Sequence, residues 1–342
     1  MKLFAAVALL LTLVALPARA DDPFYAASVD TADRGEQAFR TSARQALARV
    51  LVRVSGSEAV LEMPEAAAAL AKAAGNVSLY RYTTVGDQRV LFVQFDPDLI
   101  KGILRRSGAM YWPEQRPPVL AWLVLDGPSG RRFADPATDI ELIEGLREGF
   151  SNRGVDLRLP LHDLEDQATI TTETVWQKAL PQLQLGSRRY GTDHVLVGRL
   201  VELSSGAILC DWLYFDSESR MTRQSRSEDL MAAVAPAVDL AVDSMAQQYG
   251  VALIDLAGTS HLIVRVEGVD NYDQYQSVSE LLSSIDVIEF LQTVAIEADA
   301  VVFRLSGIDD NETLLRLLPQ GSAVSVLDSS AEQQVSLRWM AP

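Results

Sequence analysis

Val119–Leu125 reads VLAWLVL, seven apolar residues in a row, and it restricts the fold more than any other stretch. A run of this length without polar alternation is a strand buried on both faces. The sheet that holds it needs helices on both sides, which is an α/β arrangement. Pro113, Pro117 and Pro118 stand directly before it. Prolines cannot continue a helix or a central strand. The stretch 113–118 therefore reads as a hinge with few packed contacts, and the apolar run opens a new unit.

With 342 residues, 48% of them hydrophobic, the chain has material for more than one packed core. Its pattern predicts three small α/β units, at 21–115, 116–252 and 258–342, with a softer linker over 253–260. In the first, a short strand ends near Val29. A helix then buries Phe39, Ala43, Ala46, Leu47, Val50, Leu51 and Val54, spaced by three and four, and ends at Ser55-Gly56. Pro64 opens a second helix. Val77–Thr84 and Arg89–Phe95 read as paired strands, and Asp96-Pro97 starts a third helix.

After the buried strand of the middle unit, Thr138-x-x-Glu141 reads as a capping box. Its helix runs to Arg153-Gly154. A strand over Val155–Leu161, a helix over Glu173–Tyr190, a hairpin of His194–Leu203 with Ala207–Phe215, a short strand near Met221–Ser225 and a helix over Glu228–Tyr249 follow. The last unit reads β-α-β-β-α-β with one extra strand, the split βαβ order of a ferredoxin-like fold. Its strand around Phe290 and Val294 is apolar on both faces, which predicts apolar area left for a partner.

Residues 1–20 have the form of a secretory leader. Lys2 precedes an apolar run from Leu3 to Leu16, Pro17 breaks it, and Ala18-Arg19-Ala20 is a small-x-small cleavage site. The run is shorter than the roughly 20 residues that span a bilayer. No later stretch of spanning length is free of charges, so no membrane span is expected after cleavage. The 26 arginines against 4 lysines fit a bacterial, GC-rich coding bias, and the expected location is the periplasm. The formal charge of −16 argues against nucleic acid as partner. A single cysteine, Cys210, excludes an intramolecular disulfide and multi-cysteine metal sites, and it reads as a small buried hydrophobe.

Catalytic signatures are absent: no H-E-x-x-H, G-x-S-x-G, S-x-x-K, C-x-x-C or phosphate-loop pattern occurs. No cofactor, metal or catalytic residue is assigned. His194 and His261 begin strands and read as structural. Arg105-Arg106 and Arg188-Arg189 lie at helix ends, where cations offset the dipole. Arg131 and Arg132 lie instead in a loop between strand and helix. If the first two strands of the middle unit are parallel, that loop faces His162, Asp163 and Asp166 at the sheet edge where α/β folds bind ligands. These five residues are the candidate ligand or partner cluster, against the plainer reading of a surface charge cluster.

Four stretches carry a resemblance: Ala46–Gly56 (ALARVLVRVSG), Val90–Trp122 (with FDPDLIKGIL and WPEQRPPVLAW), Arg153–Asp166 (RGVDLRLPLHDLED) and Ser187–Leu200 (SRRYGTDHVLVGRL). Together they resemble an exported proteobacterial family known as domain of unknown function 2066, over nearly the whole mature chain. The resemblance implies export and no particular activity. The element order of the middle unit is similar to the N-terminal domain of the translocation protein TolB, a likeness of topology that does not carry function.

The expectation is thus a non-enzymatic periplasmic protein that binds an envelope protein or a second copy of itself. The alternatives are an envelope hydrolase working through carboxylates such as Asp163 and Asp166, and a module for peptidoglycan or another anionic polymer. Mass spectrometry of the protein from a periplasmic fraction is expected to find the N-terminus at Asp21. Residues 1–20 retained in a membrane fraction would overturn the leader assignment.

Overall fold

The computed structural model describes residues 23–342, apart from 129, 254–260, 298, 320, 332–333 and 341–342. The leader at 1–20 and most of the linker at 253–260 lie outside the described residues. The fold is α+β.

The first unit contains β1 (Ala26–Asp30), α1 (Glu36–Ser55), α2 (Pro64–Ala71), β2 (Val77–Val85), β3 (Gln88–Phe95), α3 (Pro97–Ser107) and β4 (Met110–Tyr111). Its sheet is antiparallel in the order β1-β3-β2. The predicted stripe of α1 is buried from Ala43 through Val54, with Phe39 packed at its margin. Gly56 ends that helix at φ 75°, its N–H on the Val52 carbonyl. A side chain there would also strike Ala246 and Trp112, so the helix end and the docking of Trp112 both need glycine.

The middle unit runs β5 (Val119–Gly127), β6 (Gly130–Phe133), α4 (Ile140–Asn152), β7 (Leu157–Arg158), α5 (Leu164–Thr169), α6 (Thr172–Trp176), α7 (Leu180–Ser187), β8 (Val195–Glu202), β9 (Ile208–Phe215), β10 (Arg220–Ser227), α8 (Leu230–Tyr249) and β11 (Val251–Ala252). The sheet order is β10-β9-β8-β5-β6, with β7 and β8 parallel to β5. As its apolar run requires, β5 is covered twice. Val119, Ala121 and Leu123 pack under α4 and α8. Leu120, Trp122 and Val124 pack with Ile170, Val175 and Leu183 on the other face.

Four local expectations change. Arg131 and Arg132 lie in strand β6, not a loop, because Gly127 and Gly130 close a hairpin onto the end of β5. The Thr138 capping box does not form: α4 starts after Asp139, whose carboxylate accepts instead from Arg132 and the Asp135 N–H. The strand at 155–161 pairs only over Leu157–Arg158, and Pro160 just beyond has no N–H to continue a ladder. The helix expected over 173–190 is broken, with Lys178 at φ 52° and Pro181 in the first turn of α7. Proline suits a first turn and disrupts an interior one. The long helix α8 has the length and hydropathy to cross a membrane. Here its Ala233, Ala237 and Ala241 lie buried on the sheet, and its Asp239 and Asp243 hold Arg153.

The third unit contains β12 (Leu262–Glu267), α9 (Tyr272–Ser283), β13 (Phe290–Ile296), β14 (Ala300–Ser306), α10 (Asn311–Leu317), β15 (Val324–Ala331) and β16 (Gln334–Trp339), in the sheet order β13-β14-β12-β16-β15. The element order is as expected, but one pairing departs from a ferredoxin-like sheet. The strand after α10 turns back as a hairpin, and the returning strand β16 takes the place beside β12, in parallel. Phe290 and Val294 are exposed. The open face at β12 is polar: Arg265 bonds Glu297, and Arg338 bonds Glu267.

The units are joined more firmly than hinge-like linkers would allow. Buried residues of the first and third units form one continuous apolar cluster. There Lys101 donates to the Asp286 carbonyl and Arg105 meets Glu289, and β4 pairs with β11 at the end of the middle unit. At the proline-rich stretch, Trp112 is buried and Arg116 donates to the carbonyls of Arg53, Trp112, Pro113 and Arg153.

Gly198 in β8 lies against Trp212 and Leu123. A Cβ there would sit 2.4 Å from the Trp212 ring. Gly198→Ala is expected to lower stability by about 1–3 kcal/mol, the usual cost of overpacking a core, read from the urea midpoint.

Candidate functional site

The five sequence-predicted residues do not form one site. Neighbours in a strand point to opposite faces, and Arg131 and Arg132 are parted in this way on β6. Arg131 goes to Asp126 and Glu173 at 3.1 and 3.0 Å, its guanidinium 3.8 Å from the Trp176 ring centre. Arg132 grips both oxygens of Asp139, at 2.5 and 2.6 Å. That contact holds the Asp139 carboxyl below the usual carboxylate range.

His162, Asp163 and Asp166 do come together, around partners that the sequence reading left out. Arg189 donates to both oxygens of Asp163, at 2.7 and 2.9 Å, and holds its carboxyl far below the usual range. Asp163 also caps α5 by accepting from the Asp166 N–H. Asp166 is buried and accepts from the His162 N–H, the Tyr190 hydroxyl and Arg189. The His162 ring lies 4.4 Å from that of Phe133, where burial lowers its pKa. Arg189 and Tyr190 stand just past the end of α7 as expected, but sequence spacing gives no sign of their contacts across more than 20 residues.

Beside Arg132, at the carboxyl ends of the parallel strands β5 and β8, lies a cleft of about 430 Å3, within the range of ligand pockets, roughly 300–1,000 Å3. It exists because α4 and α8 begin only at Ile140 and Leu230, leaving the ends of the strands partly uncovered. Leu125, Leu142, Leu200, Ile208 and Leu230 form its apolar surface, and Ile140 stands at its mouth, 59% exposed. Asp126, Asp139, Glu141 and Glu202 line it with Arg132 as the one basic residue. Asp126 and Asp139 are paired. Glu141 and Glu202 are exposed and appear in no ion pair among the described residues.

A third arrangement is internal. Tyr214 donates to Asp216 Oδ2 at 3.0 Å. A carboxylate held ionised only accepts, so His194 Nδ1–H donates to the Tyr214 oxygen at 2.6 Å and Nε2 accepts from Tyr249 at 2.9 Å. Burial lowers the His194 pKa, in keeping with a neutral ring. Tyr249 opens onto a cavity of about 290 Å3 among the three units, whose wall includes Trp112, Arg116, Asp286 and Arg316.

Other reactive side chains are engaged. Lys178, brought down to about 8 by burial and then by Arg199 and Arg220, bonds Asp211 at 2.6 Å. Cys210 is buried, and its thiol is pushed up to about 11. Among the described residues, no three His, Cys, Asp or Glu side chains stand in position to hold a metal.

Residues 18–113 match a family described as a domain of unknown function (DUF8605). The match reaches from before β1 to just past β4, so it spans the first unit. It is not the family 2066 expected from the sequence, and its description carries no activity. No curated protein matches the chain.

His194 makes stability depend on pH. Its folded pKa lies below the ordinary 6.5, so below pH 6.5 the unfolded chain takes up a proton that the folded chain refuses. The contribution is complete above that pH and is lost as pH falls toward the folded value. His162 acts in the same direction. Urea midpoints at pH 7.5 and 5.5, chosen to bracket roughly the ordinary histidine value, are expected to fall on acidification, and less steeply in His194→Gln.

Proposed function

We propose that this protein is a non-enzymatic, exported binding protein of the bacterial periplasm, and that an envelope protein docks in the cleft at the carboxyl ends of β5 and β8. The observation that carries this reading is the make-up of the cleft: the exposed Ile140 and the half-buried Leu125, Ile208 and Leu230 stand beside Glu141 and Glu202, which are in no ion pair among the described residues. Such a surface gains from being covered. It stands where α/β sheets usually bind their ligands.

The form of residues 1–20 and the resemblance to the exported family 2066 support the location. A hydrolase built on Asp163 and Asp166 has less support, because both carboxylates are held by Arg189 and by N–H or O–H donors. A polymer-binding role for Arg131 and Arg132 has less support for the converse reason, since carboxylates already occupy both.

A photocrosslinking residue placed at Ile140 in the periplasmic protein is expected to give a discrete adduct identified by mass spectrometry as an envelope protein. The same residue at Glu280, on α9 of the third unit, is expected to give none. Equal adducts at both positions, or none at Ile140, would overturn the proposal.

A further inference from the structure

We infer that the occupant of this cleft is a basic, amphipathic segment of a partner protein, with an apolar side chain seated on Leu125, Ile208 and Leu230 and a lysine or arginine reaching Glu141 and Glu202. The inference rests on the reading of the cleft as a docking site and adds the chemistry of what docks.

Charge complementarity argues for it. Four carboxylates and one guanidinium line the cleft, on a protein whose formal charge is −16. The guanidinium of Arg132 is already bound to Asp139 through both Asp139 oxygens, so an acidic partner would find no free cation in the lining. A cation finds Glu141 and Glu202 without a competing partner. The positive ends of the α4 and α8 dipoles do not reverse this balance, because Asp139 and Glu141 sit at the start of α4 and Asp229 caps α8.

The apolar lining selects a further property. A lysine or arginine stem lies along apolar surface while its head stays at the polar rim. An alternation of leucine-like and basic side chains therefore satisfies both parts of the cleft. A purely polar cation leaves the half-buried Leu125, Ile208 and Leu230 partly in water. A purely apolar segment covers them but leaves the two carboxylates without a counter-charge.

The test uses the mature protein and a fluorescein-labelled helical peptide of leucine and lysine, with two comparison peptides: glutamate in place of lysine, and serine in place of leucine. Anisotropy is expected to show binding of the leucine–lysine peptide, weaker in higher salt, and weaker binding of both comparison peptides. Glu141→Gln with Glu202→Gln is expected to weaken it by about tenfold, or ~1.4 kcal/mol. Glu65→Gln with Glu280→Gln changes the net charge equally on the first and third units and is expected to leave binding nearly unchanged.

Equal weakening by both pairs would mean attraction by net charge alone and would overturn the inference, as would absence of binding. The two failures separate cleanly. An Ile140 adduct without peptide binding refutes the basic chemistry and leaves the docking site standing. Peptide binding lost only in the cleft variant, without any Ile140 adduct, refutes the envelope partner and leaves the chemistry of the cleft standing.

Discussion

The joint between the first and middle units depends on the guanidinium of Arg116. It carries no carboxylate partner in an ion pair among the described residues. Four carbonyl oxygens receive its N–H groups, those of Arg53, Trp112, Pro113 and Arg153, and the Trp112 ring lies 3.9 Å below it. Two of those carbonyls belong to the closing turns of α1 and α4, where backbone acceptors have no partner within the helix. One half-buried cation therefore completes the ends of two helices in different units. Burial brings its pKa down to about 9, which still leaves it charged at neutral pH. Removal of this side chain would strip partners from helix ends on both sides of the joint at once.

Arg53 and Arg153 extend the same device. Arg53, at the end of α1, reaches the Ala26 and Asn152 carbonyls. Arg153, at the end of α4, reaches the Gly56 carbonyl and Asp239 and Asp243 on α8. Acceptors at helix ends draw cations, and here three arginines interlace the ends of α1 and α4. Trp112 fills the space beside them against Gly56 and Ala246. The stretch with the proline signature of a loose hinge is thus held at its centre by hydrogen bonds. Proline reports which backbone conformations are closed to the chain, and it carries no information about how tightly neighbouring side chains pack.

The cleft has its own structural origin. A strand buried on both faces needs helices on both, and β5 has them along most of its length. At its carboxyl end the covering helices have not yet begun, so Leu125 and, on β9, Ile208 continue the core pattern but are only half-buried. The neighbouring hairpin of β5 and β6 sends Arg131 to one face and Arg132 to the other. Arg132 then settles on Asp139, which is why Glu141 and Glu202 stand without a cation. The electrostatic character of the cleft follows from strand alternation and from one bidentate contact.

The sequence by itself determined the α/β class, the stripe of α1, the double burial of β5 and nearly all strands of the third unit, because these depend on local periodicity and on glycine and proline geometry. It also pointed to the carboxyl edge of the middle sheet as the place to look, through the parallel strand order. Tertiary structure decided the rest. Arg189 lies more than 20 residues from Asp163 and Asp166, and α8 begins some 90 residues after Ile140, so no spacing rule joins them. The parallel place of β16 beside β12, the continuous core of the first and third units, and the carbonyls around Arg116 are likewise contacts between distant segments. Their partners are chosen by packing and by the need of buried polar groups for hydrogen bonds, which act only once the chain has closed on itself.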